Sequence, residues 1–436
     1  MTGNTREALR SVAVVGGGPV ALIAAVALAQ ALPGATVTLT PAPIAPDALA
    51  DRFPLALPAT HDLLATLGLA PDRLLAKGVA RPRLATRFDD WSRDGRHWLI
   101  GDDSAATLPE GRLHALWLRA RGQHRFHDLI PACAAAAAGI ADPRVEPALL
   151  LDPARLTQAL AAIAGQAGIR LTAPFAAIAA DTLHCQDGTH LTADLLIDAS
   201  GPPRLLAPDA PFEDWREALP ATRLTLSPTI ADPGPLDRYR ATSTGWSAHW
   251  PGITAQAQAD GAGIAIAPGR LTAPFAGRIL AIGDAATQPG PLGLLGFTLA
   301  LTQLALIREL LPARHPEPLL IAEVNRRANE RADRLRDFLA AHYHAGGRTT
   351  GPFWHALRHA NRPPSLENLL TQFARRGHIV TADEETLPRD AWLALLLGQG
   401  IRPERPDPVA QSLSPAEAAH VIDTLAKRLA ALEFPS

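Results

Sequence analysis

The stretch SVAVVGGGPVALIAAVALAQALPG, residues 11 to 34, admits two readings that lead to different proteins. A basic start (Arg6 and Arg10), a long apolar run and the small-residue tail Ala27 to Ala31 have the order of a secretory signal. The same residues also spell a buried strand, a glycine turn and a helix that receives a dinucleotide. A signal needs an unbroken apolar helix, and Gly16-Gly17-Gly18-Pro19 interrupts this one after a short strand-like run ending at Val15. Gly16, Gly18 and Ala21 satisfy GxGxxG/A between the strand VAVV and a helix expected over Ala21 to Leu32, the context in which that fingerprint carries meaning. The first glycine permits the tight turn, the next lets backbone approach a pyrophosphate, and the small Ala21 lets helix pack on strand. The helix start then offers free amides and a positive dipole end to phosphate. A second strand, Ala35 to Thr40, follows Pro33-Gly34 and completes the βαβ order. The stretch therefore predicts a dinucleotide cradle. One element departs from the pattern: the acidic residue that ends the second strand and accepts ribose hydroxyls is replaced by Thr40, so backbone or another side chain must hold the adenosine.

The rest of the chain narrows the partners. With 436 residues, 47% hydrophobic and 19% charged, it buries a substantial core in two or more modules. A formal net charge of −2, with Lys77 and Lys427 the only lysines and no basic block, disfavours nucleic acid and anionic membrane and points to a small ligand. Cys133 and Cys185 lie far apart without CxxC spacing, which offers neither a disulfide framework nor a zinc site and fits a reducing cytoplasm. The apolar helix after Gly290 is too short and too loop-bound to span a bilayer. His124, His127, His342 and His344 lack partners at metal-ligand spacing and are expected to be solvated or core histidines, so no metal site is expected. No GxSxG, HExxH or P-loop pattern occurs.

Two later stretches bear on the cofactor. LTADLLIDASG (Leu191 to Gly201) is an apolar strand ending in small residues, and GRILAIGDAATQPGPLGLLGFTLALTQLALIREL (Gly277 to Leu310) runs strand, GD turn, glycine-rich loop, helix. Both resemble segments of the glutathione-reductase-type flavoprotein fold, the fold of flavin hydroxylases. That resemblance implies FAD, with Gly283 and Asp284 at the ribityl chain and backbone near Leu294 to Phe297, including Gly296 and Phe297, beside the isoalloxazine. It also implies a helix carrying Arg155 near the cofactor, in LLLDPARLTQALAAIAGQAGI (Leu149 to Ile169). No second GxGxxG follows a strand, so electrons are expected from an external reductase or a transiently docked nicotinamide.

Further segments resemble the flavin-dependent tryptophan halogenase family. They are LGLAPDRLLAKGVARPRLATRFDDWSRDG (Leu67 to Gly95), GWSAHWPG (Gly245 to Gly252), FLAAHYHAGGRTTGPFWHALR (Phe338 to Arg358) and AWLALLLGQGIRP (Ala391 to Pro403), and the likeness runs from about Val12 to Pro403. In that family reduced FAD and oxygen oxidise chloride to hypochlorous acid, which travels through a tunnel to a lysine that delivers electrophilic chlorine to an aromatic carbon, with a glutamate positioning the step. Three of these features depart here. The lysine falls on Arg83, which stays charged and is a poor nucleophile; the glutamate of PLESTG falls on Gly293 in PLGLLGF, where Leu295 and Gly296 are all that carries over to a halide site; and DRFPLALPAT (Asp51 to Thr60) replaces the GxGEST-like flavin loop. Trp246, Trp250 and Trp354 lie in segments that resemble substrate-facing ones of the family and could line a substrate cavity, although for any one of them core packing is the favoured reading.

The expected fold is α/β: a glutathione-reductase-type FAD-binding module over 1–310, interleaved with an antiparallel substrate sheet (about 80–130 and 215–270), and a helical C-terminal module over 311–436. The expected function is that of an FAD-dependent oxidoreductase using externally reduced flavin and oxygen to oxygenate or halogenate an electron-rich, aromatic substrate, free or peptide-borne. Arg83 is the catalytic candidate. A separate flavin reductase is the expected partner, and a homodimer is an allowed assembly. The alternative is a divergent non-catalytic FAD-binding or accessory protein, motivated by Thr40 and the lost loop, lysine and glutamate.

Overall fold

The computed structural model describes residues 7–102, 112–120, 124–140, 144–346, 348, 350–380, 382–405 and 411–430. Arg6 of the basic start lies outside them, as do the outermost residues of both expected modules. The described chain divides into two compact units.

The first unit takes the residues up to Arg81 together with Leu149–Trp215 and Ile266–Asp333. Its centre is a six-stranded sheet in the order Phe275–Ala276, Ile279–Ala281, Leu195–Asp198, Ser11–Val15, Thr36–Thr40, Arg170–Leu171. Val12 pairs with Leu195 on one side and Val37 on the other, and all neighbours are parallel except the first pair. Parallel strands are buried on both faces, which accounts for the unalternating VAVV and LLI runs. The helix Pro19–Ala31 is buried without interruption from Pro19 to Leu28, so it is apolar all round rather than amphipathic. The opening stretch is thus strand, turn and core helix, and the signal reading is set aside.

Gly296–Glu309 forms a second buried helix, whose Phe297, Ala300, Leu301, Leu304 and Ile307 join Val14, Val20 and Ile23 in one hydrophobic cluster. By length and composition Leu292–Glu309 is apolar enough to cross a membrane, yet 72% of it is buried inside the protein, as in a core helix.

The second unit takes Pro82–Ala148, Arg216–Ala265 and the residues from Arg334 onward. Its seven-stranded sheet runs Ile264–Ala265, Arg223–Pro228, Ile253–Gln258, Gly245–Trp250, Leu236–Ala241, Ala85–Asp89, Trp98–Gly101. Only Leu236–Ala241 and Ala85–Asp89 are parallel. Alternation sends Phe88, Trp98 and Tyr239 to one face, where Phe88 stacks on Trp98 at 4.2 Å between centroids and lies 5.5 Å from Tyr239. C-terminal helices Pro352–Leu357, Pro364–Arg376, Arg389–Gly398 and Pro415–Ala430 belong to this unit. A parallel α/β sheet, an antiparallel-dominated second sheet and a helical C-terminal region make up the expected fold class.

Candidate functional site

In the first unit three loops that the sequence singled out come to one place. The glycine turn is the first. Gly16 donates its N–H to the Thr40 carbonyl at 3.1 Å. A Cβ on Gly16 would strike the Ala199 carbonyl and come within 2.7 Å of the Ala21 methyl, so this glycine and the small Ala21 together allow strand and helix to close up. Gly17 is equally crowded, by the Ala42 carbonyl. At Gly18 the space is taken by something else. A Cβ there would run into the side chain of Asp51, 2.7 Å from its Cβ and closer still to its carboxylate.

Asp51 belongs to a short helix, Leu49–Arg52, and its Oδ1 accepts the N–H of Val20 at 2.8 Å, in the first turn of Pro19–Ala31. The carboxylate thus occupies the anion position at the helix start that the fingerprint offers to a phosphate. Burial pushes this carboxyl up to about 6, against the lowering effect of the Val20 N–H.

The GD turn is the second loop. Gly283 has φ +59, a left-handed backbone that glycine tolerates, and its N–H is held by Gln303 Oε1 at 2.8 Å. Asp284 is 3% exposed; its Oδ2 accepts the Ala50 N–H at 2.8 Å, and its Oδ1 is buried without a hydrogen-bond partner. Burial drives its carboxyl up to about 8; the Ala50 N–H opposes this, and the nearby negative charges of Asp51 and Asp47 add to it. A buried oxygen with no partner is costly and asks for a donor.

The third loop is PLGLLGF. Gly293 and Leu294 both take left-handed backbone, φ +77 and +58, which turns the chain into the helix beginning at Gly296. Leu295, Gly296 and Phe297 are buried, and a Cβ on Gly296 would meet the Ala50 Cβ at 3.2 Å and Asp284 Oδ1 at 3.3 Å. Adjacent residues Ala50 and Asp51 therefore reach all three loops.

Two further candidates, Thr40 and Arg155, spend their side chains on partners within the protein. Thr40 is fully buried, and its hydroxyl accepts from Thr172 Oγ1 at 3.1 Å. Arg155 is exposed in the first turn of Pro153–Gln166, its guanidinium donating to the Gly78 carbonyl at 2.7 Å.

In the second unit, Arg83 is 2% exposed and forks onto Asp102, Nε to Oδ2 and Nη2 to Oδ1, both 2.8 Å, while Nη1 donates to Asp237 Oδ2 at 3.2 Å. Burial alone would lower the guanidinium; the two carboxylates more than reverse this and hold it above its ordinary value. Asp237 in turn is raised by burial to about 6, despite Arg83. The Arg83 charge is committed to an internal ion cluster. Trp246, Trp250 and Trp354 are all buried, with indole N–H groups donating to Tyr343 OH (3.0 Å), Tyr239 OH (3.0 Å) and the Thr242 carbonyl (2.7 Å). None of the three lines the 590 Å³ cavity of this unit, whose walls include Arg87, His97, Leu99 and Leu236. His127, His342 and His344 are buried, and burial lowers each to about 4, so they are neutral core histidines.

With the geometry in view, relatives can be compared. The tryptophan halogenase family profile matches residues 11–253 and 248–415. The chain belongs to the tryptophan halogenase family. Solved members of similar shape include BrvH, a flavin-dependent halogenase from Brevundimonas sp. BAL3, at 25% identity and TM-score 0.87, covering 98% of this chain and 97% of that one. A flavin-dependent halogenase from Xanthomonas campestris matches at 22% identity and TM-score 0.85, covering 98% and 96%. A tryptophan 6-halogenase from Streptomyces toxytricini matches at 20% identity and TM-score 0.85, covering 98% of each chain.

The residues at the three loops fit FAD in part. The side-chain-free turn and the orphaned oxygen of Asp284 suit a diphosphate and a hydroxyl-bearing chain. The Asp51 carboxylate does not, because it fills the diphosphate position with a negative group of the protein's own. Sequence reasoning passed over Asp51, Asp102 and Asp237. Asp51 opens the quoted DRFPLALPAT, and the signal available there was an acid just before the replaced flavin loop; for the partners of Arg83 there was none, since 19 and 154 residues separate them from it.

Proposed function

We propose that the protein is an FAD-dependent oxidoreductase that works with externally reduced flavin and oxygen to oxygenate or halogenate an electron-rich aromatic substrate. The observation that carries this reading is the convergence of the glycine turn, the GD turn and PLGLLGF on residues 50 and 51, within a chain matched by the tryptophan halogenase family along nearly its whole length. Similar solved proteins are named flavin-dependent halogenases, which supports the cofactor and an aromatic substrate. In this reading the first unit is the cofactor module and the second the substrate module.

Bound and reduced, FAD supplies the electrons that activate oxygen. The Gly17–Gly18 backbone and the start of Pro19–Ala31 would bind the diphosphate by N–H groups once Asp51 releases the Val20 N–H. Asp284, protonated at neutral pH by its burial, offers both an O–H and an acceptor to ribityl hydroxyls. Leu292, Leu295 and Phe297, all buried, would keep water from a flavin held at this loop, with the Leu295 and Gly296 amides the site proposed for a halide. Arg83 enters as a fixed positive charge; orienting an anion from there requires Asp102 or Asp237 to give way. A flavin reductase is the partner this chemistry needs.

The test combines protein, FAD, a flavin reductase, NADH and indole derivatives, with chloride and with bromide, and reads products by mass spectrometry. Oxygen or halogen incorporated only with protein present supports the reading. Flavin oxidation at the protein-free rate with no new product contradicts it.

A further inference from the structure

Residues 47–52, besides bonds within their own stretch, touch each of the three loops to which the cofactor reading assigns FAD. Asp51 Oδ1 takes the Val20 N–H at the helix start, 2.8 Å. The N–H of Ala50 is held by Asp284 at 2.8 Å, and the Asp47 carbonyl accepts Gln288 Nε2 at 2.9 Å. The Ala50 methyl fills the hollow left by Gly296. Asp51 also takes up the room that Gly18 leaves, so the absence of a side chain there serves an internal carboxylate.

A helix start with free amides attracts one anion at short range, and two cannot share it without strong repulsion in a buried setting. We propose that residues 47–52 are a built-in occupant of the diphosphate site, with the Asp51 carboxylate standing where a phosphate would, so that FAD binds only by displacing this segment. The inference rests on the FAD reading above and adds its control: apparent affinity is the intrinsic affinity scaled by the fraction of molecules in which the segment has left. Proline at positions 41, 43, 46 and 54 brackets the segment. Those prolines limit the ways in which the freed segment disorders, which lets it return as one piece.

The experiment is a titration of FAD into wild type, Asp51→Asn and Asp51→Ala, read by flavin fluorescence, with thermal melts to establish that each variant folds. Loss of a charge-assisted bond is expected to tighten FAD binding about tenfold or more in Asp51→Ala, with Asp51→Asn between it and wild type. If either Asp51 variant melts far below wild type, Gln288→Ala provides the second arm: it loosens Asp47 without touching the helix start and is also expected to tighten binding. Equal affinities in wild type and folded variants overturn the displacement proposal and leave the FAD reading standing. Absence of FAD binding in every protein overturns the FAD reading, and this inference with it.

Discussion

Replacing Arg83 by methionine isolates a fully buried electrostatic commitment in the second unit. The guanidinium hydrogen-bonds the carboxylates of both Asp102 and Asp237, and the three side chains retain only 3%, 5% and 0% of their exposure. Arg83→Met leaves Asp102 and Asp237 buried without a countercharge, a loss that costs about 3 to 5 kcal/mol when one partner of a buried pair is removed. For a unit of this size each kcal/mol moves the melting midpoint by about 2 to 4 °C, so the variant is expected to melt roughly 6 to 20 °C lower at pH 8. The deficit shrinks at pH 5, because Asp237, which burial raises to about 6, is then free to take up a proton. Adding Asp102→Asn and Asp237→Asn to Arg83→Met recovers much of the loss, since a neutral cluster has no charge to bury. Scanning calorimetry of the three proteins at both pH values reads this directly. A single variant within about 1 kcal/mol of wild type at pH 8 would show that the ion cluster contributes little, and would return Arg83 to the list of groups free to act on a reactant.

Three further outcomes follow from the same geometry. Arg83→Lys gains no chlorination of indole, because an ammonium at this position is drawn between Asp102 and Asp237; chlorination appearing on this one change would contradict that placement. Asp284 has its folded value raised to about 8, well above an unfolded aspartate, so the folded protein holds a proton there that the unfolded chain has released. Stability must then fall as pH rises from about 6.5 to 8, by about 1 to 2 kcal/mol, a window above the titration of the buried neutral histidines; Asp284→Asn flattens that slope, and an unchanged slope would refute the assignment. Gly16→Ala places a methyl against the Ala199 carbonyl and the Ala21 side chain and is expected to cost about 1 to 3 kcal/mol in a denaturant titration; a neutral result would mean the strand and helix are not closely packed there.

The first βαβ unit was legible because its signals are local. Five strand residues, a run of glycines and an apolar helix sit within one continuous stretch, and backbone sterics force one outcome on them. The GD turn and the loop after it were legible for the same reason. What escaped the sequence was pairing at a distance: nothing near Arg83 announces Asp102 and Asp237, and nothing near Gly18 announces Asp51. The tryptophans show the converse. Their segments matched a substrate-facing pattern, yet each indole N–H ends on a partner inside the second unit, because a large ring is buried most cheaply where its one donor is satisfied.

The account stands most directly on how the protein handles reduced flavin. Anaerobically reduced FAD, premixed with excess protein and then with oxygenated buffer in a stopped-flow instrument, is expected to reoxidise along a time course distinct from that of free FAD, and Asp284→Ala is expected to return it to the free-flavin course. Identical traces with and without wild-type protein, at concentrations where Asp51→Ala also leaves them unchanged, would contradict a redox role for this chain.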